Sequence, residues 1–329
     1  MQLFWSKGRR FDLKHFIFQY AYIIGVIFLV GIVLTLVIEY NIYDSKIEYD
    51  ILNINENDKF VIRVNTWRRN DTLYEVINHY STCSHVEAIH IIWPDPVFHP
   101  MELSFFKLNN AKVPVLFEIQ SDSSLNSRFN IILPSKSDAI FTTDDDIIIS
   151  CKDLISAYNI WKNNNTDTMV GFAARVHTRE QIKTSNNTIV YTNRYIYTMY
   201  DHPARKFNYY SIVLTKASFI HKKYLHLYSN SPDISSLRKF VAVNRNCEDI
   251  LMAFVVSNNT NLLPWLVRTQ LTKVGKHDGI SDGKKHENIR DNCINLFMET
   301  FRKNPLQYNH YYYTKGYIDN KFYKTALQF

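Results

Sequence analysis

The chain has 329 residues, 46% of them hydrophobic and only 8 glycine, which is enough to bury one large core and too apolar for a disordered protein. Its formal charge of +7 suggests nucleic acid, yet much of the excess is local, in Lys7, Arg9, Arg10 and Lys14. The body lacks clustered Lys/Arg with interleaved aromatics, which argues against a nucleic-acid partner.

From Phe16 to Ile38 the sequence carries no charge, with Gln19 and Thr35 its clear polar interruptions, and it is long enough to cross a bilayer as a helix. A core helix rarely stays apolar on every face for this length. A cleaved signal peptide has a shorter apolar region, and no small-x-small cleavage pattern follows. Basic residues before the span and Glu39, Asp44, Glu48 and Asp50 after it predict a cytosolic N-terminus and a lumenal remainder. Oxidised cysteines and N-glycans suit that placement. Cys83, Cys151, Cys247 and Cys293 form no CxxC pair, which argues against zinc, and Asn70, Asn164, Asn186 and Asn258 open N-x-Thr sequons.

Tyr40 to Asp58 is polar and aperiodic and reads as a stem. Phe60–Val64 favours a strand, Asp71–Tyr80 places Leu73, Val76, Ile77 and Tyr80 at helical spacing, and Ala88–Trp93 closes a strand-helix-strand unit. Val113–Ile119 and Ala139–Thr143 repeat the strand signal, and Leu154, Ala157, Tyr158 and Trp161 mark a helix. This alternation predicts an α/β domain with a largely parallel sheet. Further on, Tyr195–Tyr200 and Tyr209–Thr215 read as strands, Cys247–Ser257 and Glu287–Phe301 as helices, and Gly275–Lys285 as a mobile loop.

Three places carry chemistry. Asp144-Asp145-Asp146 closes an apolar strand. Adjacent carboxylates there repel one another and lose hydration, so they call for a cation or strong donors. Open α/β sheets bind ligands at the carboxyl ends of their strands, and hard oxygens suit Mg²⁺ or Mn²⁺ on a diphosphate. A solvated acidic turn capping the next helix is the alternative. Asn246-Cys247-Glu248-Asp249 opens a helix, where the macrodipole by itself accounts for acidic residues. His286 and Arg290 share one helical face and are within reach of a phosphate, although a solvated face explains such a pair equally well.

The order of these features is more specific than any one of them. Asn65-Thr66-Trp67-Arg68-Arg69, Asn78-His79-Tyr80, Ile91-Ile92-Trp93, Ser124-Leu125-Asn126-Ser127-Arg128-Phe129, the Asp triplet, Tyr210-Ser211-Ile212-Val213-Leu214, Asn246-Cys247-Glu248-Asp249 and His286-x3-Arg290-x2-Cys293 together resemble the exostosin-like glycosyltransferases, glycosyltransferase family 64. The resemblance covers about Phe60 to Phe301 and is closest to short members with one anchored catalytic domain. It implies a GT-A fold over 59–329, behind a cytosolic tail (1–15), a transmembrane helix (16–38) and a stem (39–58). It also implies a Mn²⁺-dependent retaining hexosyl transfer, with Mg²⁺ as the other candidate ion, in the Golgi or endoplasmic reticulum.

By position, the resemblance makes Asp146 the metal ligand and Asp249 the catalytic carboxylate, with Arg290 holding the diphosphate. Thr66, Arg69, Ser123, Arg128, Asp144, Asp145 and His286 become donor contacts, and Cys247 pairs with Cys293. The implied partners are a nucleotide-sugar donor, UDP-N-acetylglucosamine or UDP-N-acetylgalactosamine first, and a glycan acceptor on a proteoglycan or glycolipid; a homodimer is compatible with this. Glu75, Pro94 and Ser127 stand where similar proteins often carry Arg, Asn and Asn, so a GDP-sugar is the alternative donor. The non-enzymatic alternative is a tethered glycan- or nucleotide-binding module, against which the presence of both Asp146 and Asp249 argues.

Overall fold

The computed structural model describes residues 13–52, 55, 58–100, 113–198, 209–275, 284–314 and 317–319. The chain divides into two compact units, Met1–Asp50 and Ile51–Phe329.

The described part of the first unit is helical, within α1 (Leu13–Leu52), in which Tyr20–Glu39 has a mean hydropathy of 2.9 and no buried residue. An apolar helix exposed on every face fits a single-pass anchor. The helix continues to Leu52, so the first part of the expected stem is helical rather than aperiodic. No Gly or Pro interrupts Glu39–Leu52, and the backbone ladder therefore has no built-in stop.

The second unit is built on a nine-stranded sheet. Its first half comprises β1 (Phe60–Asn65), β2 (Val86–Trp93), β3 (Val115–Ile119) and β4 (Ala139–Asp144), with α2 (Asn70–Tyr80) as the first crossover. These four strands are parallel, in the order β4-β1-β2-β3. The short β5 (Ile147–Ile148) precedes α3 (Cys151–Asn164), whose Ser150 hydroxyl caps the helix by accepting from the Asp153 amide. Past β4 the sheet continues through β10 (Ala217–His221), antiparallel to both its neighbours, then β6 (Val170–Gly171), β11 (Trp265–Arg268), β13 (Tyr312–Thr314) and β14 (Tyr317–Asp319). The result is a mixed α/β unit with a large, mostly parallel central sheet. Gly171 has a packing reason: a Cβ there would lie 2.6 Å from the Ala217 carbonyl oxygen on β10.

Alternation along the strands sends side chains to two cores. Phe60, Ile62 and Val64 of β1 join Ala139 and Phe141 of β4, facing Leu73, Val76, Ile77, Leu154 and Trp161 of α2 and α3. Val61 and Ile140 point the other way, into a core shared with α4 (Lys222–Asn230), α5 (Ser235–Asn244), α6 (Glu248–Thr260) and α7 (Lys284–Phe301). The sheet is thus covered on both faces, as near-continuous apolar strands require. A long hairpin, β7 (Ala174–Lys183) and β8 (Ile189–Thr198), pairs at its base with β9 (Ile212–Val213), and β5 pairs with β12 (Thr272–Lys273).

The expected Tyr209–Thr215 strand is reduced to β9 plus one bridge from Tyr210 to Asn309. Tyr210 is fully buried, its hydroxyl donating to the Tyr311 carbonyl and accepting from the Leu266 amide, so the segment is held by tertiary bonds in place of a ladder. Most of the loop expected over 275–285 lies outside the described residues.

Candidate active site

Three supports converge on one cavity of about 230 Å³. The first is the end of β4. Residues Ile140, Thr142 and Asp144 alternate onto the face covered by α6 and α7, and the strand stops where Asp145 and Asp146 turn back toward β5. The Asp145 amide bonds the Asn65 carbonyl and the Asp146 carbonyl accepts from Val274, which fixes the turn against β1 and the segment after β12.

The second support is the 3-10 turn Leu125–Phe129, capped by the Ser124 hydroxyl and carrying Arg128. Its position depends on a buried ion pair in the sheet. Arg63 of β1, 2% exposed, donates to Glu118 of β3 at 2.6 Å and to the Asn130 carbonyl at 2.7 Å. Glu118 also accepts from the Ile132 amide at 3.0 Å and lies 2.7 Å from His90 Nδ1. The loop bearing Arg128 is thereby tied to the sheet through a charge that has no access to water.

The third support is the start of α6. Cys247 holds the left-handed conformation (φ 77°) and forms a disulfide with Cys293 of α7, one turn beyond Arg290 on the same helix. The predicted pairing is present. It draws the acidic first turn of α6 against the arginine-bearing face of α7. A second disulfide, Cys83–Cys151, joins the end of α2 to the start of α3. Cysteine spacing could not reveal that pairing. His79 completes a cluster with those two sulfurs, but both are bonded to each other and the ring faces the Ile149 carbonyl at 2.7 Å, so the cluster is no metal site.

Across the cavity, each acidic cluster is gripped by arginine. Arg128 bonds Asp144, reaches Glu248 at 3.4 Å and donates to the Thr215 hydroxyl at 3.0 Å. Arg290 donates to Asp249 at 3.1 Å and to the Tyr197 hydroxyl at 2.8 Å, while the Ile250 amide donates to the other Asp249 oxygen. Arg69 bridges Asp145 (3.2 Å) and Asp146 (3.5 Å).

These contacts divide the carboxylates. Burial pushes Asp145 up to about 6, against the pull of Thr66 and Arg69. Burial also raises Asp144, with Arg128 opposing and Asp146 assisting. Burial, reinforced by neighbouring Asp249, pushes Glu248 up to about 7. Asp249 is equally buried, yet Arg290, the Ile250 amide and Arg128 together hold it below the usual range. Of the two adjacent acids on α6, Asp249 is therefore the one kept ionised. Asp249, Tyr197 and Glu248 in turn outweigh the burial of Arg290 and keep its guanidinium charged.

Asp144, Asp145, Asp146, Asp249, Arg69, Arg128 and Arg290 all line the cavity. Thr66 does not. It is buried behind the wall, its hydroxyl donating to Asp145 at 2.7 Å. Ser123 also stands off the cavity, as do Glu75, Pro94 and Ser127. His286 falls in the first turn of α7, with its side chain outside the described residues. The cavity also brings in Arg175, Tyr197, Lys216 and Arg245, which sequence reasoning missed. Their only signal was charge or an aromatic at a strand or helix end.

A cation fits the donor set. Asp144 and Asp146 offer hard oxygens at the cavity wall, and manganese and magnesium accept such ligands. Among the described residues the triplet does not converge on one point as a three-ligand cluster. The protein would therefore supply one or two oxygens, the rest coming from water and ligand, which is the habit of these ions on diphosphates.

Known proteins align with this chain over the same region. The glycosyl transferase family 64 domain matches residues 60–316. "Glycosylinositol phosphorylceramide mannosyl transferase 1" of Arabidopsis thaliana is 38% identical over 76% of this chain and 74% of its own length. Mouse "Exostosin-like 2" is 26% identical over 77% and 75%, respectively. Among solved structures, S. aureus TarS 1-349 in complex with UDP-GlcNAc covers 74% of this chain and 66% of its own at 12% identity and a TM-score of 0.43; a likeness of that size carries no weight for the donor. The match spans every strand of the sheet but β14, the Asp triplet, the paired arginines and the Cys247–Cys293 tie, and the chain belongs to glycosyl transferase family 64, the exostosin-like glycosyltransferases.

Proposed function

We propose that this protein is a metal-dependent, retaining glycosyltransferase of GT-A type, anchored by α1 with its catalytic unit in the lumen of the Golgi or endoplasmic reticulum. One observation carries the reading. Two acidic clusters, Asp144-Asp145-Asp146 and Glu248-Asp249, face a single cavity, each held by a buried arginine.

Asp146 and Asp144 would hold the cation, which supplies Lewis-acid stabilisation of a departing nucleoside diphosphate. The chain's own groups complete the chemistry. Arg290 carries its charge into the cavity, and its Nε is buried with no partner among the described residues, a donor suited to a phosphate oxygen. Asp249 stays ionised beside it, where a carboxylate stabilises positive charge developing at the anomeric carbon. Arg69 and Thr66 orient Asp145, and Arg128 spans the two acidic clusters, setting their separation.

Two considerations bear on substrate. Identity to the mannosyl transferase, 38%, exceeds that to the exostosin-like relative, 26%. This favours a mannosyl donor, carried on GDP, over the N-acetylhexosamines, and a glycosylated inositol phosphorylceramide as acceptor. A lipid acceptor also suits an enzyme tethered to the membrane.

The test is nucleotide release from a panel of GDP- and UDP-sugars by the detergent-solubilised full chain, with and without Mn²⁺. We expect Mn²⁺-dependent release, strongest with GDP-mannose, to fall at least 100-fold in Asp146→Asn and in Asp249→Asn. Release indifferent to Mn²⁺ and to Asp146→Asn would refute the metal-dependent reading, and preference for a UDP-N-acetylhexosamine would overturn the donor.

A further inference from the structure

Four N-x-Thr sequons occur in this chain, and the fold treats them differently. Asn164 ends α3, and its side-chain Nδ2 donates to both the Ile160 carbonyl (2.9 Å) and the Tyr313 hydroxyl (2.7 Å). A glycosylated Nδ2 keeps one hydrogen and cannot make both bonds. Asn70 is the first residue of α2, its Oδ1 buried, and Thr72 of that sequon is 1% exposed with its hydroxyl donating to the Arg69 carbonyl. A glycan there would stand beside Arg69 at the cavity. Asn258 lies in the last turn of α6, where the Thr260 hydroxyl both donates to the Val256 carbonyl and accepts from the Leu262 amide, anchoring the helix end.

Asn186 differs on every count. It sits exposed in the middle of the connection 184–188 at the tip of the β7–β8 hairpin. The Asn187 amide bonds the Thr184 carbonyl, the Thr184 amide bonds the Thr188 carbonyl, and Asn187 takes the left-handed conformation (φ 62°) that asparagine tolerates. Neither the Asn186 amide nor the Thr188 hydroxyl makes a side-chain hydrogen bond among the described residues. A second observation stands next to the sequon. The outer half of this hairpin exposes Ile182 (53%) and Val190 (47%), paired on one face, and Ile189 (58%) and Tyr191 (58%) on the other, so apolar side chains stand in water on both sides of the tip.

We propose that Asn186 is the N-glycan acceptor of this protein and that its glycan, at the hairpin tip, shields the exposed apolar side chains on the two faces beside it. The donor is a lumenal polyprenyl-diphosphate oligosaccharide, acted on by the cell's oligosaccharyl-transferring machinery. The Asn186 Nδ2 forms a bond to the anomeric carbon as the carbon–oxygen bond to the diphosphate breaks; one Nδ2 proton is lost and the polyprenyl diphosphate leaves. A bulky, solubilising glycan at this tip occupies open space and displaces no internal bond.

The inference rests on the lumenal orientation proposed above, and the experiment separates the two. The full chain is expressed in a eukaryotic secretory host, and its microsomes are treated with an external protease and, separately, with an amide-cleaving glycosidase. The body is expected to be protected and to carry one glycan. That glycan should be absent from Asn186→Gln and Thr188→Ala, and retained in Thr188→Ser, Asn70→Gln, Asn164→Gln and Asn258→Gln. Asn186→Gln should keep its nucleotide-release rate while forming more large aggregates than the wild type on gel filtration. A protected chain with no glycan, or any glycan remaining on Asn186→Gln, overturns the proposal with orientation intact. A body digested from outside overturns orientation and proposal together, and release by the same preparation still reads the transferase activity independently.

Discussion

Between pH 7 and pH 5, the buried His177 should make acid destabilising. The ring is fully buried on β7, with Nδ1 2.7 Å from the Ser211 hydroxyl and Nε2 2.9 Å from the Asn304 amide and 3.1 Å from the Tyr308 hydroxyl. The Asn304 Nδ2 group donates, so Nε2 accepts and Nδ1 carries the proton, which is the neutral tautomer. Burial lowers the ring's pKa to about 3. The sign follows from linkage. A histidine depressed in the folded state contributes stability that is complete above its unfolded pKa of about 6.5 and is lost as pH falls from there toward 3. At pH 5, about 1.5 pH units below that upper limit, the loss is about 2 kcal/mol, or about 3 °C in Tm for a unit of this size.

Asp145 and Glu248 act in the opposite sense, because their raised values mean that folding favours their protonated forms and acid favours folding through them. The raw pH profile therefore mixes opposing terms, and the readout is the difference between wild type and His177→Gln. Thermal unfolding of the detergent-solubilised full chain is followed at pH 7, 6 and 5. The gap between wild type and variant should shrink by about 2 kcal/mol on going from pH 7 to pH 5. His177 is also paired in register with Tyr197, which supports Arg290, so wild-type activity should fall along the same limb. A gap that stays constant with pH refutes the reasoning.

Three further outcomes follow. Glu118→Ala leaves Arg63 charged and buried, so stability should drop by about 3–5 kcal/mol in a denaturant titration, and the added change Arg63→Met should recover part of it. Cys293→Ser opens a loop with a sequence separation of 46 and should cost about 4 kcal/mol on the chain-entropy account. Its activity should fall further than its stability requires, because Arg290 and Asp249 lose their shared tether. Gly171→Ala drives a Cβ against the Ala217 carbonyl, and the strain should lower stability by about 3 kcal/mol, read as a reduced Tm.

The parts legible in the sequence were those that a local pattern encodes. The uncharged run Phe16–Ile38, the helical spacing of Leu73, Val76, Ile77 and Tyr80, and the β-favouring runs ending at Val64, Trp93 and Thr143 all fall within elements of the structure. The Asp triplet was equally conspicuous, because three carboxylates after an apolar strand stand out without any fold. Less legible were α4 and α5, with only two or three buried positions each on otherwise polar turns, and strands as short as β6 and β9, whose two residues leave no period to read.

Other features have no local signature at all. Cys83 and Cys151 are joined only because α2 and α3 lie on one face of the sheet. Thr66 proves to be a support behind Asp145, because its strand end packs the hydroxyl inward. Arg63 reads as a charge in a strand, yet tertiary structure makes it the buried link between Glu118 and the loop of Arg128. The sequence alone therefore determined the long apolar helix, the α/β class and the acidic residues, all of which are patterns within a few turns of chain. The tertiary structure decided which arginine grips which carboxylate, and which of two adjacent acids stays ionised. Those outcomes depend on burial and on charges far apart in sequence, beginning where Asp144-Asp145-Asp146 meets Arg128 and Arg69.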